Sequence, residues 1–187
     1  MDVAGRVLSV NVGRPRPVER LGQLRSTAIR KRPVEGRVAV RGVNVDGDEQ
    51  ADRRSHGGPE QAVYAYARED YAWFERELGQ PLDAATFGEN LTLEGIDVSG
   101  ARVGERWKVG SAVLEVTRPR LPCWKLGDRM GDQRFVARFA EAERFGAYLR
   151  IVQEGELASG DEVQVDRSDA GELTVRDVGL AELRKKG

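Results

Sequence analysis

Soft metal ligands are scarce in this chain, which has one cysteine, Cys123, and one histidine, His56, among its 187 residues. That scarcity excludes an internal disulfide and a cysteine-cage zinc site, and it leaves little for an all-protein metal centre. Any metal is expected to arrive inside a cofactor. No apolar run approaches the ~20 residues of a membrane span, and Met1-Asp2-Val3-Ala4-Gly5-Arg6 contains no apolar signal core. The expected location is therefore cytoplasmic, with no membrane partner. A phosphate loop, a dinucleotide fingerprint and a nucleophile elbow are all missing, as are flavin and iron–sulfur motifs and any internal repeat. With a net charge of −1, general nucleic-acid binding is not expected.

Charge is nevertheless unevenly placed. Between Arg14 and Arg41 there are nine Arg or Lys residues against two Glu. Such a segment is either a solvated face or an anion site, with phosphate the favoured anion. Elsewhere the pattern is of short β segments. Arg6 to Val12 alternates Val or Leu with polar residues until Arg14-Pro-Arg-Pro breaks it, and Arg37 to Val45 has valines at alternate positions. A polar, glycine-rich loop follows from Asp46 to Pro59, the kind of segment that carries function rather than core. Ala62 to Tyr66, a stretch after Phe87-Gly-Glu-Asn-Leu, Arg102 to Val109, Ala112 to Thr117, Tyr148 to Gln153 and Glu162 to Asp166 read as further strands. Helices are expected over Glu69 to Leu78, with Tyr71, Phe74 and Leu78 on one core-facing side, and over Gln133 to Phe145. Many short strands with two or three separated helices do not make a βαβ rhythm. A closed or nearly closed β-barrel with helices at its rim fits best. The barrel domain is expected over residues 1–167. Residues 168–187 form a short appendage, with a β stretch at Leu173 to Val175 and a helix from about Val178 to Lys186.

Cys123 sits in Thr-Arg-Pro-Arg-Leu-Pro-Cys-Trp-Lys-Leu, bracketed by Pro119 and Pro122 and flanked by Arg118, Arg120 and Lys125. The prolines, which cannot donate to a ladder, should stop the preceding strand and hold the cysteine on a stiff loop. Cationic neighbours favour a thiolate, as a nucleophile or metal ligand requires; the alternative is a buried, inert thiol. His56 lies in Ser-His-Gly-Gly, where glycines permit close backbone approach. It is read either as a structural residue or as a cofactor or substrate contact that delivers a proton.

The order and wording of these loops resemble the MOSC domain, the molybdenum-cofactor sulfurase C-terminal domain, and within it the bacterial YiiM-like group. The matching pieces are Gly47-Asp-Glu-Gln-Ala-Asp, His56-Gly-Gly-Pro with the tyrosine-rich strand after it, Phe87-Gly-Glu-Asn-Leu, Pro119-Arg-Leu-Pro-Cys-Trp-Lys-Leu and Gly146-Ala-Tyr-Leu-Arg-Ile-Val. They span roughly Arg25 to Val165. The resemblance implies a mainly β fold, a MOSC-type β-barrel with a few peripheral α-helices, holding a molybdenum cofactor (Mo-pyranopterin). It implies that Cys123 ligates molybdenum or carries sulfur, with His56 beside it in the catalytic pocket. Arg25, Thr27, Arg30 and Lys31 would supply donors to the cofactor's phosphate, and Asp48 and Asn90 would bond its pterin edge. Gly57, Gly58, Arg118 and Arg120 complete the expected binding set. A weak family association with pyridoxal phosphate binding comes with the resemblance. Two activities follow from it: reduction of N-hydroxylated compounds such as hydroxylaminopurines, or a sulfur-carrier role with a persulfide on Cys123. Either needs a partner, an external electron donor or a sulfur donor protein, and the first also needs a small-molecule substrate.

Overall fold

The computed structural model describes residues 2–51 and 57–185. In chain order the first half comprises β1 (Asp2–Val12), β2 (Arg16–Arg20), β3 (Gln23–Thr27), β4 (Arg32–Val34), β5 (Val38–Arg41), β6 (Asn44–Val45), β7 (Val63–Ala67), α1 (Arg68–Leu78) and β8 (Leu91–Glu94). The second half comprises β9 (Arg106–Val109), β10 (Ala112–Pro119), α2 (Trp124–Met130), α3 (Phe135–Glu141), β11 (Ala147–Gln153), β12 (Gly155–Leu157), β13 (Glu162–Asp166) and α4 (Val175–Arg184).

Seven of these strands close a barrel in the order β1, β13, β9, β10, β11, β7, β8 and back to β1, with β4 extending the far end of β1. The mainly β barrel expected from the sequence is therefore present. All barrel pairings are antiparallel except β7 with β8. A parallel pair needs a long crossover, and α1 with the turn after it supplies one. None of the described helices is long and apolar enough to cross a membrane.

Strand alternation divides the core in two. On β7, Val63, Ala65 and Ala67 face the aliphatic barrel interior with Leu93, Leu114 and Leu149. Tyr64 and Tyr66 face outward into a second, aromatic cluster with Phe74, Phe87 and Phe139, covered by α1, α2 and α3. Every residue of β7 is thus buried, one face against each cluster. At Gly146 (φ 66°), where β11 begins, an added Cβ would lie 2.6 Å from the Ala65 carbonyl oxygen and 2.6 Å from the Tyr66 ring. Only glycine allows this close approach of β11 to β7.

Several local expectations need correction. The strand before the cysteine loop runs on to Pro119, which closes it as its final residue. The loop then passes into α2, a seven-residue helix with Gly127 inside it and no long apolar stripe to announce it. The Gln133 to Phe145 helix shortens to Phe135–Glu141, because Glu143 turns left-handed (φ 55°) and Phe145 drops into the aromatic cluster. The β2–β3 hairpin, turned through Leu21 and Gly22 at positive φ, was hidden by its exposure, which leaves no apolar alternation to read.

The expected β stretch at Leu173 to Val175 is instead a helix start. Thr174 caps α4 through a reciprocal capping box with Asp177. Its only ladder contact is an isolated bridge to Arg102. Val175 is fully buried among the barrel residues, Gly179 lies against the Phe145 ring, and Glu182 pairs with Arg118. Val175→Ala should accordingly destabilise the whole domain by about 2 kcal/mol, the transfer and cavity cost of two buried methyl groups. Urea unfolding would show it; an unchanged midpoint would mean that the last helix is peripheral to the barrel's cooperative unit.

Candidate functional site

Where β3, the chain leading into β8, and the exit of β10 converge, they enclose a cavity of about 100 Å³. That volume takes the reacting end of a larger molecule rather than the whole of it. Thr27, Lys31, Asp48, Asn90, Arg120 and Cys123 all line it, gathering six of the expected site residues from four separate stretches of chain.

Local alternation decides which cations enter. Ile29 is buried, Arg30 turns out to pair with Asp128 at 3.3 Å, and Lys31 turns in to the Asp48 carboxylate. Burial pulls the Lys31 ammonium below its ordinary value, and Asp48 opposes the fall. Arg118, still within β10, pairs with Glu182 at 3.2 Å. Arg120 has left the ladder beyond Pro119 and enters the cavity instead. Arg25 lies on the exposed hairpin, bonded at 2.7 Å to Gln23. Arg25, Arg30 and Arg118 are therefore outside the cavity. His56 lies outside the described residues. Gly57 and Gly58 lead into a short 3-10 turn, where the Gly58 N–H donates to Gln50 Oε1 at 2.9 Å. Gln50 Nε2 in turn donates to the Gln61 carbonyl, so one amide ties this stretch of the loop to the cavity wall.

Asp48 and Asn90 line the cavity but bond mainly within the protein. Asp48 Oδ1 accepts from the Gly13 N–H at 2.8 Å as well as from Lys31, and Oδ2 accepts from Asn90 at 2.9 Å. The Asn90 amide also donates to the Asn11 carbonyl, and its Oδ1 accepts from the Tyr64 N–H. Both amide hydrogens of Asn90 are thus spent on the fold. Gly88 (φ 80°) completes the wall, where a Cβ would press to 2.6 Å on Ile29.

Arg120 differs from the other cations. It is 6% exposed, its Nη1 has no hydrogen-bond partner, and no carboxylate pairs with it among the described residues. Its company is aromatic: the guanidinium lies 5.8 Å from the Tyr64 ring and 5.7 Å from that of Phe139, with Tyr148 lining the same cavity. Burial pushes the Tyr64 hydroxyl well above its usual titration range and raises that of Tyr148 too, so they are neutral neighbours rather than counterions. Cys123 is half-buried, with extended backbone immediately before α2. Among the described residues no three His, Cys, Asp or Glu side chains cluster as metal ligands. The chain thus offers one soft ligand and one unmatched buried cation in the same cavity.

Sequence reading missed Tyr64, Tyr148 and Glu89. The tyrosines are register partners across β7 and β11, which only the strand pairing reveals. Glu89, fully buried behind the cavity, accepts from Tyr71 at 2.6 Å and Thr92 at 2.8 Å through Oε1, while Oε2 has no partner. Burial pushes its carboxyl above the usual Glu value, with the Tyr71 and Thr92 hydrogen bonds opposing. Between its unfolded and folded pKa values the folded chain therefore holds the extra proton, and stability falls as pH rises through that window. Glu89→Gln keeps an acceptor for Tyr71 and Thr92. Its urea midpoint should match the parent's in acid, and the parent should fall progressively behind as pH climbs above the ordinary Glu range. A gap that does not change with pH would show that Glu89 ionises normally.

Comparison with known proteins gives a consistent answer. The MOSC domain profile matches residues 52–164. The chain is 37% identical to the uncharacterized protein YflK of Bacillus subtilis over 159 residues, covering 85% of this chain and 72% of that one. It is 30% identical to protein YiiM of Escherichia coli, covering 71% of this chain and 61% of that one. A protein named reductase from Gibberella moniliformis is 33% identical, and the chain spans 29% of its length. Among solved structures, YiiM from Geobacillus stearothermophilus superposes with a TM-score of 0.78 at 27% identity, covering 97% of this chain and 85% of that one. YiiM from Escherichia coli, at 21% identity and a TM-score of 0.71, shares the fold.

Proposed function

The chain belongs to the MOSC domain family, and we propose on that premise that it binds the molybdenum cofactor at the Cys123 cavity and reduces N-hydroxylated compounds of the hydroxylaminopurine type. The observation that carries this reading is the buried Arg120 guanidinium beside a half-exposed thiol, with no carboxylate to match it. A charge buried this deeply without a counterion costs several kcal/mol, and an anionic ligand is what offsets it. Mo-pyranopterin has the two properties the cavity asks for, a soft metal that takes thiolates and a strongly anionic frame. The residues present therefore fit the group. Cys123 would hold the metal, and Arg120 would offer Nη1 to the anionic part. Lys31, braced by Asp48, would offer an ammonium donor without needing to move. When bound, the cofactor supplies a centre for two-electron chemistry that no side chain of this protein has.

The overall reaction breaks the N–O bond of R–NHOH. Two electrons and two protons enter, and R–NH2 and water leave. The electrons would come from a redox centre outside these residues. The buried Tyr64 ring and the partly buried Tyr148 ring help to exclude water from the cavity floor. Similarity to a protein named reductase supports the same reaction class.

Protein from a cofactor-producing host tests this through Cys123→Ser, which removes the soft ligand at nearly constant volume. The variant should melt like the parent, lose hydroxylaminopurine reduction with a supplied electron donor, and show one sulfur neighbour fewer in the molybdenum absorption spectrum. Arg120→Gln should retain the cofactor about tenfold to hundredfold less tightly, from the ~1.5–3 kcal/mol of one charge-assisted hydrogen bond. A fully reducing Cys123→Ser variant would sink the ligand assignment. Cyanide-releasable sulfur on a parent that reduces nothing would replace the reductase with a sulfur carrier.

A further inference from the structure

The β2–β3 hairpin stands apart from the barrel as a two-stranded sheet of its own. Two contacts hold it at the mouth of the site. Thr27, its last residue, is buried in the cavity wall, and the Arg20 guanidinium lies 4.8 Å from the centre of the ring of Trp124, the residue after Cys123. Its turn carries an ill-suited residue. Leu21 and Gly22 both have positive φ, 50° and 71°, which makes a two-residue turn whose first position favours Asn, Asp or Gly. A leucine there meets the steric penalty of the left-handed region and, at 91% exposed, recovers nothing by packing. Leu24, on the face opposite to that of Thr27, is 78% exposed. Arg16, Arg20 and Arg25 share the hairpin with a single acid, Glu19, and none of the three pairs with a carboxylate among the described residues.

From the exposed leucines, the residue forced into the turn and the unmatched arginines at the mouth of the site, we infer that this hairpin is the docking knob for an acidic electron-carrier protein. Positive charge steers such a carrier to this end of the molecule, and the leucines give it an apolar contact once it arrives. The knob is small, which suits a carrier that must leave after delivery, because electron-transfer encounters lie at the low end of interface size. Lipid is the poorer fit. Even one myristoyl chain gives only reversible membrane binding, and two leucines offer less apolar surface than that. The inference rests on the proposed reduction, whose electron source it describes. Two reduced carriers each give one electron, solvent gives two protons, and R–NHOH leaves as R–NH2 and water.

The experiment gives the cofactor-loaded full chain two donors: reduced plant-type ferredoxin, an acidic one-electron carrier, and reduced methyl viologen, which needs no docking. Ferredoxin binding is measured separately by calorimetry, without substrate. The parent should bind ferredoxin, more weakly as salt rises, and turn over with both donors. Leu21→Asn gives the turn a residue it favours, so melting, molybdenum content and the viologen-driven rate should stay unchanged. Its KM for ferredoxin should rise about tenfold, the loss expected for one central interface residue. Arg16→Glu should also raise that KM and should flatten its dependence on salt. A parent that does not bind ferredoxin overturns the docking, and viologen-driven turnover would then leave the reductase standing. Ferredoxin binding that Leu21→Asn weakens, with no turnover from either donor, keeps the knob and removes the reductase. An unchanged KM in both variants overturns the inference. So does loss of molybdenum from Leu21→Asn, which would make the leucine a cover for the cofactor. Binding to phosphatidylglycerol vesicles, or self-association, that Leu21→Asn abolishes while ferredoxin binding is unmoved would assign the knob to lipid or to a second copy instead.

Discussion

The site depends on one buried carboxylate. Asp48 is 6% exposed, and a charge so far from water is tolerated only when its oxygens are matched. The Lys31 ammonium, the Gly13 N–H and the Asn90 amide match them, and they come from three different stretches of the chain. Asn90 extends the constraint, because the same side chain bonds the Tyr64 N–H and the Asn11 carbonyl. Two barrel strands and two loops are therefore locked to a single polar centre. A cavity wall built in this way is set before any ligand arrives, which is what a site must offer if binding is not to be spent on ordering the protein.

The barrel makes that arrangement affordable by separating two packing problems. Aliphatic side chains fill the interior, while the aromatic cluster lies outside the wall beneath the helices. β7 serves both, with alternate residues on each side. The cavity lies where the two clusters meet, so Tyr64 is at once an aromatic core residue and a neighbour of Arg120. Polar residues at such a seam can face a ligand without opening either core.

Much of this was legible in the residues. Short alternating strands, Arg6 to Val12 and Arg37 to Val45 among them, foretold a barrel, because half-buried strands write period-two patterns into sequence. The loop motifs pointed to Cys123, Lys31, Asp48, Asn90, Arg120 and Thr27, which the fold brings together. Illegible were the choices made by direction. Adjacent Arg30 and Lys31 look alike in sequence, yet alternation sends one to Asp128 and the other to Asp48. Arg118 and Arg120 are separated by the point where β10 stops, and that end falls two residues later than the prolines suggested. The exposed hairpin and the short α2 have no apolar periodicity, so composition alone could not announce either. Glu89 and Tyr148 act through pairings distant in sequence, which no local pattern encodes.

Polar satisfaction is incomplete at the site as well as at a few places away from it, among them Asn44 and Arg129. Buried atoms without partners include Arg120 Nη1, Glu89 Oε2 and Asn11 Oδ1, which lie in or behind the cavity. Others, such as those on Asp70 and Arg144, belong to side chains that already pair with each other. Arg120 has rings and the Cys123 thiol beside it, and no carboxylate among the described residues. A fold selected for stability alone would place a carboxylate beside it or an apolar residue in its stead, since both are cheaper than an unmatched guanidinium. Keeping the guanidinium unmatched leaves the cavity positive and costs the empty chain stability. An anion that fills it returns that cost as affinity, and the filled protein is stabilised in proportion to how tightly the anion binds. Strain of this kind is confined here to one cation, because the Asp48 centre has already neutralised the other.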